Sequence, residues 1–116
     1  MHEYSVACEI AALVKQSAGN SRVTKITLAV GALSGIFTES LTMYLDLVLP
    51  DMGMHNVTVE MKNVPATFAC SCGEQYTAEN MAVACPKCGE YARTVTAGQD
   101  CIVESIEVDD ARDTAA

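Results

Sequence analysis

Residues 70–89 read CSCGEQYTAENMAVACPKCG. The second part, Cys85-Pro86-Lys87-Cys88-Gly89, has the form of a zinc knuckle. Two residues between cysteines let both thiolates reach one ion, and the following glycine lets the turn fold back so that backbone amides face sulfur. The first part, Cys70-Ser71-Cys72-Gly73, has a single intervening residue and makes a tighter chelate; twelve residues separate the two pairs. Zinc in structural sites takes four tetrahedral ligands, and Cys70, Cys72, Cys85 and Cys88 supply that number. Three alternatives stay open on spacing alone. Cys101 or His55 replaces one member of the first pair, the four thiolates hold a rubredoxin-like iron or an iron–sulfur cluster, or the cysteines act as a redox dithiol.

The surrounding stretch, roughly residues 65–98, holds four of the six cysteines and two of the three prolines and shows little helical or strand periodicity. Such a composition does not build a conventional core, and metal binding is a staple that accounts for its folding. A closed four-Cys site leaves no open position for a substrate. Its metal is therefore expected to be structural, with the function elsewhere.

Outward from that module the periodicity becomes regular. Residues 3–18 read as an amphipathic helix with Val6, Ile10, Leu13 and Val14 on one stripe, stopped by Gly19-Asn20. RVTKITLAVG (22–31) alternates as a half-buried strand, with Ile26, Leu28 and Val30 facing one way and Lys25 and Thr27 the other. A second helix starts near Thr38, read as its N-cap, carries Leu41, Tyr44, Leu45 and Val48 inward, and has Pro50 at its end. NVTVEMK (56–62) is a second strand with Val57, Val59 and Met61 on one face. CIVESIEVD (101–109) is a third, in which Glu104 interrupts a face assigned to Ile102, Ile106 and Val108. The expected fold class is α+β: two helices and a three-stranded sheet, with an inserted zinc-ribbon-like four-Cys module at 65–98 and a tail at 111–116.

Lys and Arg number 7 against 15 Asp and Glu, a net charge of −8 in 116 residues, so nucleic-acid binding, which relies on basic side chains, is excluded as the main function. Half the residues are hydrophobic, which argues against disorder. The opening MHEYSVACEIAALVKQ lacks the basic and continuous apolar regions of a signal peptide, and no apolar run is long enough to span a membrane. The expected location is the cytoplasm, where clustered cysteines favour metal or redox chemistry over structural disulfides. Cys8, beside the apolar stripe of the first helix, and Cys101, opening the third strand, read as buried free thiols.

The chain opens Met1-His2-Glu3. A bulky second residue is expected to keep the initiator Met in place. The Met1 amine, the His2 amide and the His2 imidazole then form a chelating set, which a further amide could complete to four nitrogens for a metal that prefers square-planar coordination, such as Ni(II) or Cu(II). On chemistry alone His2 and His55 read as solvated residues, and Glu3 as an acid that favours a helix N-terminus through the dipole.

The opening MHEYSV, the strand VTKITLAVGALSG, the helix TESL, the CxC(x12)CPxCG module and the ending IxxIEVD together resemble the HypA/HybF family of nickel-insertion accessory proteins for [NiFe]-hydrogenase maturation, some members of which also serve urease. The resemblance covers nearly the whole chain in order and departs at the CxC of the first knuckle. It implies a metallochaperone rather than an enzyme. Nickel would be held by the Met1 amine, His2 and Glu3 (through its amide, or as a supporting acid), and structural zinc by Cys70, Cys72, Cys85 and Cys88. It implies a nickel-binding α+β domain of residues 1–64 plus 99–110. It also implies as partners a HypB-like GTPase of the same pathway and the [NiFe]-hydrogenase large subunit, with no nucleic acid and no membrane insertion. Two rivals share parts of this pattern. A zinc-ribbon protein-interaction module would make His2 irrelevant, and a dithiol oxidoreductase would need basic groups beside its thiols, where Lys87 stands alone.

Overall fold

The computed structural model of the chain describes residues 2–92 and 94–109. It contains α1 (Glu3–Ala18), β1 (Arg22–Gly31), α2 (Thr38–Asp51), β2 (Thr58–Val64), β3 (Ala66–Ala69), β4 (Gln75–Ala78), β5 (Thr94–Ala97) and β6 (Cys101–Asp109). The elements form two three-stranded sheets, ordered β2-β1-β6 and β4-β3-β5. The α+β class read from the sequence is the class observed. The expected tail at 111–116 lies outside the described residues.

In the first sheet β1 is central, parallel to β2 and antiparallel to β6. Parallel neighbours need a crossover, and α2 supplies it. One face of the sheet packs on both helices around Ile26, Leu28, Val30, Leu41, Leu45 and Val14. Lys25 lies on the other face, where it pairs with Glu60 at 3.2 Å.

Three local readings are corrected. In α1 the buried stripe is Ala7, Ile10, Ala11 and Val14, spaced at helical intervals, while Leu13 falls about 100° away from Val14 and is exposed. Thr38 is not a cap: the cap position is Phe37, in extended backbone with no side-chain hydrogen bond, and the Thr38 carbonyl accepts from Thr42 Oγ1 at 2.9 Å. Pro50 lies at the end of α2, as expected, inside its last turn. There a proline forfeits one backbone bond while the Met52 N–H still reaches the Val48 and Leu49 carbonyls.

The third correction concerns β6. Its register against β1 shifts between Thr27 and Leu28, so Thr27 pairs with Ser105 and Leu28 with Val103, leaving Glu104 as the extra residue of a bulge. The bulge lets Val103 and Ile106 both pack on the core, and Glu104 pairs with Lys62 Nζ at 2.7 Å. Ile102, opposite Ala29, is 53% exposed and does not share a face with Ile106.

The second sheet lies where no strand periodicity was legible. Its strands are four residues each, too short to display an alternation. Phe68 and Tyr76, paired across β3 and β4, stack with ring centroids 5.2 Å apart. The two sheets meet at the end of β1, where the N–H groups of Gly31, Ala32 and Leu33 donate to the carbonyls of Asp100, Val64 and Gly98, each at 2.8 Å.

Candidate metal centre

Cys70 follows directly on β3, and the turn into β4 is the first knuckle. The Cys70 N–H donates to the Glu74 carbonyl at 2.8 Å, and the Gly73 N–H donates back to Cys70 at 2.9 Å. The second knuckle repeats this with one residue more: Cys85 N–H to Glu90 O at 2.8 Å, and Gly89 N–H to Cys85 O at 2.9 Å. Gly73 and Gly89 both have positive φ, 98° and 79°, a conformation that costs glycine nothing. The CxC is thus a knuckle shortened by one residue inside a tight hairpin, with the closing bonds kept.

The four sulfurs converge. Cys70 Sγ lies 3.5 Å from Cys88 Sγ, and Cys72 Sγ 3.8 Å from Cys85 Sγ. All four ligand atoms fall within 4.8 Å of one another. A tetrahedral ion bonded to sulfur at about 2.3 Å requires sulfur–sulfur edges of roughly 3.8 Å, so the donor set fits such an ion in number, type and spacing. Cys101 and His55 are not in this group: Cys101 packs half-buried against the first core, and His55 is exposed ahead of β2. All six cysteines are free, with Cys8 and Cys101 only partly buried.

The protonation pattern suits a cation. The Cys72 amide, then the Cys88 thiol, holds the Cys70 thiol down to about 7. The Glu90 amide acts to lower Cys88, but the Cys70 thiol, burial and the other two thiols outweigh it and push Cys88 up to about 12. One proton leaves this cluster easily and the later ones are resisted, because negative charge accumulates on adjacent sulfurs. A divalent ion removes that resistance.

Sequence reasoning missed Tyr76 as part of this site. Its hydroxyl donates to the Val83 carbonyl at 2.9 Å and accepts from the Ala92 N–H at 3.3 Å, so one side chain on β4 ties down the chain on both sides of the second knuckle. A lone tyrosine in a polar stretch was the available signal.

The other sequence-derived site lies at the opposite end of the chain. His2 is exposed and precedes α1, and its carbonyl accepts the Val6 N–H at 3.0 Å. Met1 is outside the described residues. Glu3 is 6% exposed, and its carboxylate accepts the Phe37 N–H at 3.2 Å, across the gap to the start of α2. This contact holds the Glu3 carboxyl below its ordinary value of 4.5. Depression favours the folded state above the ordinary value, and the contribution disappears as pH falls through the lowered one. Glu3→Gln is therefore expected to cost stability at neutral pH, with a gap to wild type that closes below about pH 4.5 in urea melts. A gap of constant width down to about pH 3 would contradict this.

A model of the family described as "Hydrogenase/urease nickel incorporation, metallochaperone, hypA" matches residues 1–108. The chain is 32% identical over 114 residues to the hydrogenase maturation factor HypA of Dehalococcoides mccartyi, covering 95% of this chain and 96% of that one. It is 29% identical to the HypA of Geobacter metallireducens, covering 94% and 100%. Among solved structures, the fold is similar to the solution structure of the Ni metallochaperone HypA from Helicobacter pylori. The TM-score is 0.68 at 18% identity, with 93% of this chain and 97% of that one covered.

Proposed function

The chain belongs to the HypA family of hydrogenase and urease nickel-incorporation metallochaperones, and on that premise we propose that it binds Ni(II) at its N-terminus and delivers it to the [NiFe]-hydrogenase large subunit. It is an accessory protein rather than an enzyme. It acts in the cytoplasm beside a HypB-like GTPase of the same pathway, which exchanges nickel with it, and carries structural zinc on Cys70, Cys72, Cys85 and Cys88. No helix among the described residues is long and apolar enough to cross a membrane.

The observation that carries the nickel reading is the exposed start of α1 at His2. The hydrogen-bond ladder of α1 starts with the Val6 N–H donating to the His2 carbonyl, so giving up the His2 and Glu3 amide protons to a metal breaks none of the ladder's bonds. The ligand set is then the Met1 amine, the His2 amide and imidazole, and the Glu3 amide, four nitrogens suited to square-planar Ni(II). The Glu3 carboxylate supports the site from outside it through its bond to Phe37. Bound zinc contributes folding free energy to the second sheet, and no nickel ligand comes from there.

Titrating nickel into the native-terminus protein, into His2→Ala and into a form with residues added before Met1 tests this reading. One zinc per chain is expected in all three, and nickel binding is expected only in the first. Undiminished nickel binding in either variant rules out the N-terminal site. Because nitrogen ligands shed protons on binding, nickel affinity is expected to fall between pH 7.5 and pH 6, the imidazole range. Equal affinity at the two pH values would remove the imidazole from the ligand set.

A further inference from the structure

Residues 31–37 run from the last position of β1 to the cap of α2, and they are tied down along the way. At the start, Gly31, Ala32 and Leu33 donate their N–H groups to Asp100, Val64 and Gly98, which lie on the two stretches of chain that enter and leave the second sheet. The Leu33 side chain packs against the core of that sheet, with Phe68, Cys70 and Cys85 among its members. Among the described residues it is the one member of that cluster from outside 65–98. In the middle, the Ser34 N–H donates to Gly31 O at 3.0 Å, the Ile36 N–H to Ser34 Oγ at 3.3 Å, and Ile36 packs on the first core. At the end, the Phe37 N–H donates to Glu3 Oε2 and the Phe37 carbonyl accepts the Leu41 N–H at 3.0 Å.

We propose that residues 31–37 are a strap through which the four-cysteine module positions the His2 end of α1, with Leu33 as the positioning residue. Leu33 has a seat only when the thiol-rich core is formed. Once seated, it and the three backbone bonds beside it fix where the chain leaves β1. Phe37 follows four positions later in the sequence, over a stretch too short and too bonded to absorb a displacement. The Phe37 amide is therefore presented to Glu3, the chain neighbour of His2, only while the module is ordered. Coupling of this kind is reciprocal in free energy, so nickel at the terminus stabilises the module in turn. The nickel arm of this inference rests on the reading of His2 as a nickel ligand; the Phe37 arm does not.

The test uses the full-length, zinc-loaded protein and measures two things: hydrogen exchange at the Phe37 amide, and nickel affinity. Leu33→Ala is expected to keep its zinc, to speed Phe37 exchange at least about fivefold, and to weaken nickel by a similar factor. Leu33→Met is expected to restore both. A Gly-Gly insertion between Ser34 and Gly35 leaves Leu33 in place but slackens the strap, and is expected to behave as Leu33→Ala does. Wild-type Phe37 exchange in a zinc-retaining Leu33→Ala or in the insertion variant overturns the proposal. If Leu33→Ala loses its zinc, the insertion variant decides. If nickel does not bind the wild-type terminus, the functional reading fails, while Phe37 exchange in the variants still supports the strap or overturns it.

Discussion

Cys85→Ser is expected to abolish stoichiometric zinc binding and to unfold the second sheet while leaving the first folded. Cys85 is 2% exposed, so the serine hydroxyl lands in a site built for a thiolate and shut off from water. The buried cluster around it consists of Ala66, Phe68, Cys70, Tyr76, Cys85 and Ala92. Among the described residues two of the six are alanines, two are thiols of the four-cysteine group, and only Phe68 and Tyr76 are large. Such a cluster does not compensate the entropy of ordering its strands, and metal binding, about 10–16 kcal/mol in comparable structural sites, is expected to supply what is missing. Metal analysis is expected to return well under one zinc per chain. Hydrogen exchange is expected to show β3 and β4 amides unprotected while β1 amides stay protected. Cys72→Ser, at an exposed member of the four-cysteine group, is expected to weaken zinc with less collapse. A Cys85→Ser protein with one zinc and a protected β3–β4 ladder would remove Cys85 from the ligand set.

What the sequence made legible divides along physical lines. Both helices, β1, β2 and the existence of β6 were readable because each is long enough to show its period. The convergence of the four cysteines was readable because knuckle chemistry fixes residue types at fixed offsets, and the CxC is a hairpin with one residue removed. The strands β3, β4 and β5 were not readable, since four residues hold too few turns of any period. Nor was the bulge at Glu104, because an extra residue inverts the face of everything on one side of it. Pro50 marked the end of α2 because the last turn is where a helix tolerates proline best after its first. The least legible feature was the contact between Glu3 and Phe37: it joins residues 34 positions apart through a backbone N–H, which has no signature in composition.

The same long-range economy governs the second large effect, Gly98→Ala. Gly98 has φ +90°, and a Cβ there would lie 2.6 Å from both Ala66 Cα and Pro65 O, and 2.9 Å from Ala66 N. These are backbone atoms, so no side-chain rotation relieves the clash. The conformation itself costs a non-glycine residue about 1–3 kcal/mol, and forcing atoms into a filled space typically adds about 1–3 more. A loss of roughly 3 kcal/mol, or about 10 °C in Tm, is expected for the zinc-loaded protein. Two other glycines separate the contributions. Gly19 has φ +60° with nothing within 4 Å of its Cβ position, so Gly19→Ala carries the conformational cost alone. Gly31, whose φ is not positive, has the Gly98 carbonyl where its Cβ would be, so Gly31→Ala carries the steric cost alone. Gly98→Ala should therefore exceed Gly19→Ala and approach the sum of the two, since it carries both penalties. Equal melting temperatures for Gly98→Ala and Gly19→Ala would mean that the junction between the sheets yields, and a yielding junction cannot hold Leu33 in its seat.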